Sequence, residues 1–380
     1  MLIEIHMLKN YPPTNLNRDD LGTPKTCVFG GTNRSRISSQ CLKRSWRKSE
    51  IFGDIVGESN LGIRTRKMPG LIRDNLIEQG ISEEYANEIL PKLSGIGNRD
   101  GKEFKDNTKT AQIMMYSKDD IEDITRVVKE QIEKCESIKD IKKITVKAIE
   151  EQMQKADIRP VSLDIALFGR MVTSDAFRDV EASVQVAHAL STNRVVMESD
   201  YFTAVDDLIF GKNQEDSGAG MIDSTEFNSS CYYIYAAIDT DILAENLKGV
   251  EEADSLGKKA VEGIIKTMAF SDPDGKQNGF AGHIVPSFAI VECKEKKIPV
   301  SYTNAFAEAV YPGEEGDLIL KSIQRLVKER EDIQKDFSVP VKESFLFCSS
   351  KYSQNLGLQD GVTVCENYED MVQKVVALLA

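Results

Sequence analysis

The sequence predicts an α+β fold on three observations. An alternating strand opens the chain at residues 1–10, a helical block runs from about Pro69 to Lys155, and strands and helices alternate after residue 160.

The opening Met1-Leu2-Ile3-Glu4-Ile5-His6-Met7-Leu8 alternates and carries a glutamate, so it reads as a strand. A loop rich in Pro, Asn, Asp and Gly follows to about Gly31. Ser38 and Ser39 are N-cap candidates for a helix reaching about Phe52. In the helical block, apolar residues recur three and four apart, as in Ile121 to Val128, and residues 95–101 interrupt it as a polar loop. Val161–Leu167 and Ser183–Leu190 alternate like half-buried strands. Residues 191–229 read as a long polar loop with a central aromatic group, and loops of that length are often functional. Beyond them come a strand at 230–238, an amphipathic helix at 255–270 and a strand at 287–293. A charged helix at 318–333, a strand at 341–348 and a closing helix at 371–380 complete the chain. Strand, helix, strands, helix, strand is the order of a ferredoxin-like (RRM-like) unit, with the helical block and the long loop as insertions.

Composition bounds the function. The 380 residues are 41% hydrophobic and 29% charged, as in ordinary soluble proteins. No apolar run approaches the roughly 20 residues that span a bilayer, and the start does not resemble a signal peptide. A cytoplasmic protein with no membrane partner is expected. The seven cysteines are scattered without a C-x-x-C pair, and there are three histidines. That pattern predicts reduced thiols and no metal. Gly30-Gly31 opens neither a P-loop nor a dinucleotide fingerprint, so no cofactor is expected.

The formal net charge is -13, which by itself argues against nucleic acid. Its distribution argues otherwise. Between Asn17 and Lys48 lie eight Lys/Arg and two Asp, a net +6 that leaves -19 for the remaining residues. One basic stripe on an acidic chain favours a defined polyanion track over diffuse coating.

Within that stripe, Gly30-Gly31 permits positive φ or close backbone approach. Arg34 and Arg36 alternate, so an extended backbone points both to one side. Ser38, Ser39 and Gln40 stand at a helix start, where N–H groups and the dipole favour an anion. Lys43 with Arg47, and Arg44 with Lys48, are i,i+4 pairs covering an arc of about 140°, while Leu42 and Trp46 point elsewhere. A merely solvated basic helix is the plain alternative. Elsewhere, Met171 either packs in the core or stands at a sheet edge to touch bases. Tyr201–Val205 is either a hairpin core or a wedge between bases. Asp164, His188 and His6 read as structural.

The strings Leu16-Asn17-Arg18-Asp19-Asp20, Phe29-Gly30-Gly31 through Lys48, Asp164 through Met171, and Phe202 through Leu208 resemble the CasC family. That family supplies the backbone subunit of type I-E CRISPR Cascade. Thr225-Glu226-Phe227-Asn228-Ser229 and Asn304-Ala305-Phe306 extend the match over most of the chain. The resemblance implies a right-hand shape: an RRM-like palm (1–58, 156–190 and 229–380), helical fingers (59–155) and a thumb loop (191–228). It implies a non-enzymatic subunit that polymerises with copies of itself along CRISPR guide RNA and presents the guide to a target DNA strand. Large, small, guide-end-capping and repeat-processing Cascade subunits would be its further partners. Residue by residue, Arg18, Lys25, Ser38, Ser39, Gln40, Lys43, Arg44 and Arg47 would contact the guide backbone, joined by Arg34 and Arg36 of the stripe. Met171 would pack on bases, and Phe202, Thr203 and Val205 would form the thumb wedge. The alternative is an RNA-cleaving backbone subunit using an acidic residue such as Asp20.

Overall fold

The computed structural model describes residues 1–98, 101–155, 161–172, 176–204, 221–313, 317–354 and 361–379. The architecture is α+β, in two units: Met1–Phe52 with Val186–Ile238 and Glu262–Ala380, and Gly53–Gln185 with Asp239–Val261.

The first unit is organised on β1 (Leu2–Thr14), which is buried at every position from Leu2 to Leu8. A strand so enclosed needs sheet neighbours on both edges. These are β10 (Phe288–Lys294) and β9 (Met221–Asp239). β1 and β10 are antiparallel, with Leu2 opposite Lys294 and Leu8 opposite Phe288. The sheet continues on one side through β11 (Glu343–Cys348) to β12 (Thr363–Val364), and on the other through β7 (Ala189–Ser191) and β3 (Thr32–Ile37) to β2 (Thr26–Phe29). On one face, Tyr233, Phe288, Ile290 and Leu346 pack with Ile323 and Leu326 of α12 (Leu318–Phe337). Beneath them, His6 Nδ1 lies 2.8 Å from the Tyr233 hydroxyl, and Arg330 donates to buried Glu292 at 2.6 Å.

Several local expectations need correction. The loop expected up to Gly31 contains a hairpin, β2–β3, turning at Gly30 (φ 57°) and Gly31 (φ 74°). Two successive positive φ values are what a two-residue hairpin turn demands. A side chain at Gly30 would also place Cβ 1.5 Å from the Ala307 carbonyl oxygen. The following helix stops at α1 (Ser39–Arg47), and a separate α2 (Glu50–Val56) succeeds it. Val161–Leu167 is not a strand but leads into α8 (Leu163–Phe168). Its polar positions are buried instead of facing water: Asp164 Oδ1 accepts from Ser162 Oγ at 2.7 Å and Gly62 N at 2.9 Å. The strand expected at 183–190 is split into β6 (Val184–Val186) and β7. The long loop is a ribbon, in which β8 (Glu198–Ala204) pairs antiparallel with the first third of β9.

In the second unit, β4 (Ile63–Thr65) pairs with β5 (Met114–Tyr116). The helices α3 (Met68–Glu78), α4 (Glu83–Gly95), α5 (Lys118–Glu133), α6 (Ile138–Lys143) and α7 (Val146–Gln154) realise the expected helical block. Their period-3.6 faces meet in a core including Ile72, Leu76, Ile89, Leu93, Ile124, Val128 and Ile149. Ser117 and Asp120 form a capping box at the start of α5. The unit is completed by α9 (Thr240–Asn246), while α10 (Ala253–Phe270) runs from one unit's segment into the other's. Short α11 (Gln277–Phe280) and α13 (Ser350–Ser353), with closing α14 (Tyr368–Ala377), belong to the first unit.

Candidate nucleic-acid interface

The basic stripe is brought together by backbone stitching in the first unit. Lys25 N donates to Asn17 O and Arg36 N donates to Lys25 O, both at 2.8 Å. Ser38 N donates to the Asn17 side chain at 2.9 Å. Arg18 bridges Pro24, and the turn between them is closed by Asp19 Oδ1, which accepts from Leu21 N at 2.9 Å and Thr23 N at 3.0 Å. Asp20 is exposed beside it. Three short segments of one stretch thus present Arg18, Lys25 and Arg36 together with the start of α1. Electrostatics registers the crowding: the His188 pKa is lowered by burial first and then by the Arg36 and Lys25 cations. The Cys41 thiol is pushed up by burial and by Asp274, against the pull of Lys25 and Arg44.

Ser38 is the N-cap of α1, its Oγ accepting from Cys41 N at 3.3 Å. Ser39 is half-buried and Gln40 exposed beside that cap. The helix turns Leu42 and Trp46 into the core. Its 3.6-residue period then leaves Arg44 and Lys48 exposed and Lys43 and Arg47 half-buried. Partial burial lowers the Lys43 pKa. A helix so divided packs on one side and offers successive cations on the other.

The reading of Arg34 needs correction. It alternates with Arg36, but its guanidinium is fully buried. It donates to the carbonyl oxygens of Ser191 (3.1 Å), Thr192 (2.8 Å), Phe306 (2.8 Å) and Ala307 (3.2 Å). A cation with its donors committed to main-chain acceptors is a structural clamp, not a phosphate contact. Arg36 stays half-buried, with Nη1 at 2.9 Å from His188 Nδ1.

The sequence reading missed a supporting segment, the glycine-rich stretch 271–285. Ser45 Oγ of α1 donates to Asp272 O at 2.9 Å, and Ser271 Oγ donates to Ser49 Oγ at 2.6 Å. Asp274 Oδ2 lies 3.6 Å from exposed Arg44. Gly275 is pressed on Leu16 and Asn15, whose carbonyl oxygens would stand 2.4 and 2.5 Å from an added Cβ. The available signal was three glycines within eight residues, a spacing that permits close backbone approach.

In the ribbon, Phe202 stands opposite Asp223 and Thr203 opposite Ile222. Every residue of β8 is exposed, so the hairpin has no buried core of its own. Tyr201 (65%) and Ile222 (61%) are the most open apolar side chains there, with Phe202 partly shielded. Val205 lies outside the described residues. The ribbon's base is tied down: Asn15 Nδ2 donates to Glu226 O at 2.9 Å, and Lys276 Nζ donates to Thr225 Oγ1 at 2.7 Å.

In the second unit, Met171 is 89% exposed, which removes core packing as its reading, and it follows a helix instead of a strand. His6 and Asp164 are buried, consistent with structural roles, and His188 is exposed. Among the described residues, no group of three or more His, Cys, Asp or Glu is placed to hold a metal ion. None of their helices is long and apolar enough to cross a membrane.

The family described as CT1975-like protein matches residues 3–374. A solved chain described as "CRISPR RNA-guided surveillance complex, pre-nicking" aligns over 100% of both chains with a TM-score of 0.81 at 25% identity. Another, described as "CRISPR RNA-guided surveillance complex", aligns over 100% of both chains with a TM-score of 0.62 at 22% identity, a likeness of fold. No curated protein matches the chain.

Proposed function

The chain belongs to the CT1975-like protein family, and from that premise we propose that it is a non-catalytic backbone subunit of a type I-E Cascade. In this reading, copies of it line up along a CRISPR guide RNA in the cytoplasm and present the guide for pairing with a target DNA strand. The other Cascade subunits complete the complex.

One observation carries the proposal. A chain of net charge -13 packs Leu42 and Trp46 inward and turns Lys43, Arg44, Arg47 and Lys48 outward on one helix, beside Arg18, Lys25 and Arg36. Backbone phosphates of any guide satisfy such a row, and phosphate contacts fix register without reading bases. Ser38, Ser39 and Gln40 add polar groups at the helix start.

The ribbon 198–204 and 221–227 is the thumb. A two-stranded ribbon exposed along all of β8 and at Met221–Ser224 of its partner strand is marginal in water, and Tyr201, Phe202 and Thr203 offer apolar and polar surface to displaced bases and a neighbouring copy. The palm is ferredoxin-like: the order β10-β1-β9-β7, with α1 after β1 and α10 between β9 and β10, supports this reading. The helices α3 to α7 are the fingers.

The test is a charge reversal. The Lys43→Glu/Arg47→Glu variant, co-expressed with the partner subunits and a guide, should fold but fail to assemble on RNA. Normal assembly would reject the proposal.

A further inference from the structure

Met171 differs sharply from both of its neighbours in the second unit. Arg170 is buried, whereas Met171 is 89% exposed, and Val172 is partly buried against the helical core. An exposed methionine on a free loop would sample many rotamers and offer little to a ligand. Here the backbone on either side is fixed. Arg170 N donates to Val180 O at 2.9 Å and Val180 N donates back to Arg170 O at 2.8 Å. Val172 N donates to Asp179 Oδ1 at 2.8 Å. Gly169, at φ 79°, makes the turn out of α8, and an added Cβ would sit 2.9 Å from Val180 O.

The Arg170 side chain completes the bracket. Its Nη1 donates to Asp120 Oδ2 at 2.6 Å and to Met115 O at 3.3 Å, and its guanidinium lies 5.3 Å from the centroid of the Phe177 ring. Asp120 is itself fixed, because its other role is the capping box of α5. Arg170 Nε is buried with no hydrogen-bond partner among the described residues. An orphaned buried donor is costly, and a lysine would meet Asp120 without it. The guanidinium supplies what a lysine does not, a rigid plane held between Asp120 and Phe177.

We infer that Arg170 is a positioning residue: with Asp120 it forms a buried bracket that fixes the backbone at Met171, so that its side chain stands out as an apolar probe against guide bases. The inference rests on the proposed guide-binding role, and it assigns Arg170 no phosphate contact. A preset backbone leaves only the side chain to be ordered on meeting a base.

The test is a double-mutant cycle on the complex co-purified with its partner subunits, using a labelled guide RNA at several salt concentrations. Met171→Ala should weaken guide binding by about tenfold, the scale of one lost base contact. Arg170→Gln should weaken it comparably without changing the salt slope. Because Arg170 acts through Met171, the double variant should be no weaker than Met171→Ala alone. Multiplying effects, or a salt slope smaller by about 0.7 for Arg170→Gln, would overturn the inference. Full binding by Met171→Ala would overturn both the probe and its bracket, while leaving the charge-reversal result to judge the guide-binding role separately. Should Arg170→Gln not fold, Arg170→Lys, which keeps a cation beside Asp120 but loses the guanidinium plane against Phe177, enters the same cycle with the same expected outcomes.

Discussion

Arg34 Nη2 donates to the Phe306 carbonyl oxygen at 2.8 Å, although 272 positions separate the two residues in sequence. With Nη1 held by Ser191 and Thr192, one guanidinium joins β3 to two distant segments of the first unit. Truncation would leave buried carbonyl oxygens without donors. Arg34→Ala is therefore expected to lower stability by about 3 kcal/mol or more, measured by urea unfolding. Arg36→Ala should change stability little and instead reduce the salt dependence of RNA binding.

Lys43 and Arg47 sit one helical turn apart on α1, and each is assigned a guide phosphate. Replacing either by alanine should reduce the slope of log K against log salt by about 0.7, the value for one single-strand phosphate contact. The double substitution should reduce it by about twice that, read from fluorescence anisotropy across a salt series. An unchanged slope would remove the residue from the phosphate row.

Asp274 stands 3.6 Å from Arg44 with both side chains largely exposed. Such a pair contributes little to folding, but its carboxylate competes with phosphate for the same cation. Asp274→Asn should leave the melting temperature unchanged and tighten guide binding a few-fold at low salt. The gain should vanish at high salt, as screening erases it.

His6 is buried against Tyr233 and Tyr302, and burial lowers its pKa to about 3. Its ordinary value is near 6.5, so below that pH the unfolded chain takes up a proton that the folded chain refuses. Stability falls as pH drops from about 6.5 toward 3, by about 1.4 kcal/mol per unit from this group. Between pH 7 and pH 5 the loss is about 2 kcal/mol on the same scale. His6→Gln should flatten this part of the pH–stability curve in denaturant unfolding.

The sequence displayed the frame well. The alternation of β1, the helical periodicity of 69–155 and the serine cap of α1 all survive, because each is a local pattern with a local cause. Other features depended on distant partners. Arg34 and Arg36 look equivalent in an extended strand; only the folded positions of residues 191–192 and 306–307 turn one of them into a clamp. Asp164 imitates the polar half of a strand because Gly62, about a hundred positions away, supplies its donor. The ribbon of β8 and β9 reads as a loop in the sequence because all of β8 is exposed, so burial imposes no alternation on it. Met171 is ambiguous in the sequence for a similar reason, since its neighbour Arg170 is fixed by Asp120, fifty positions away.

Guide RNA held by this chain alongside copies of itself can be recovered and identified. The most direct measurement is to purify the chain with its co-expressed partner subunits and sequence the RNA that remains bound. A guide-binding backbone should yield short RNAs of one repeat-spacer length, with several copies of the chain per RNA. A complex free of RNA, or RNA of mixed length and origin, would contradict it.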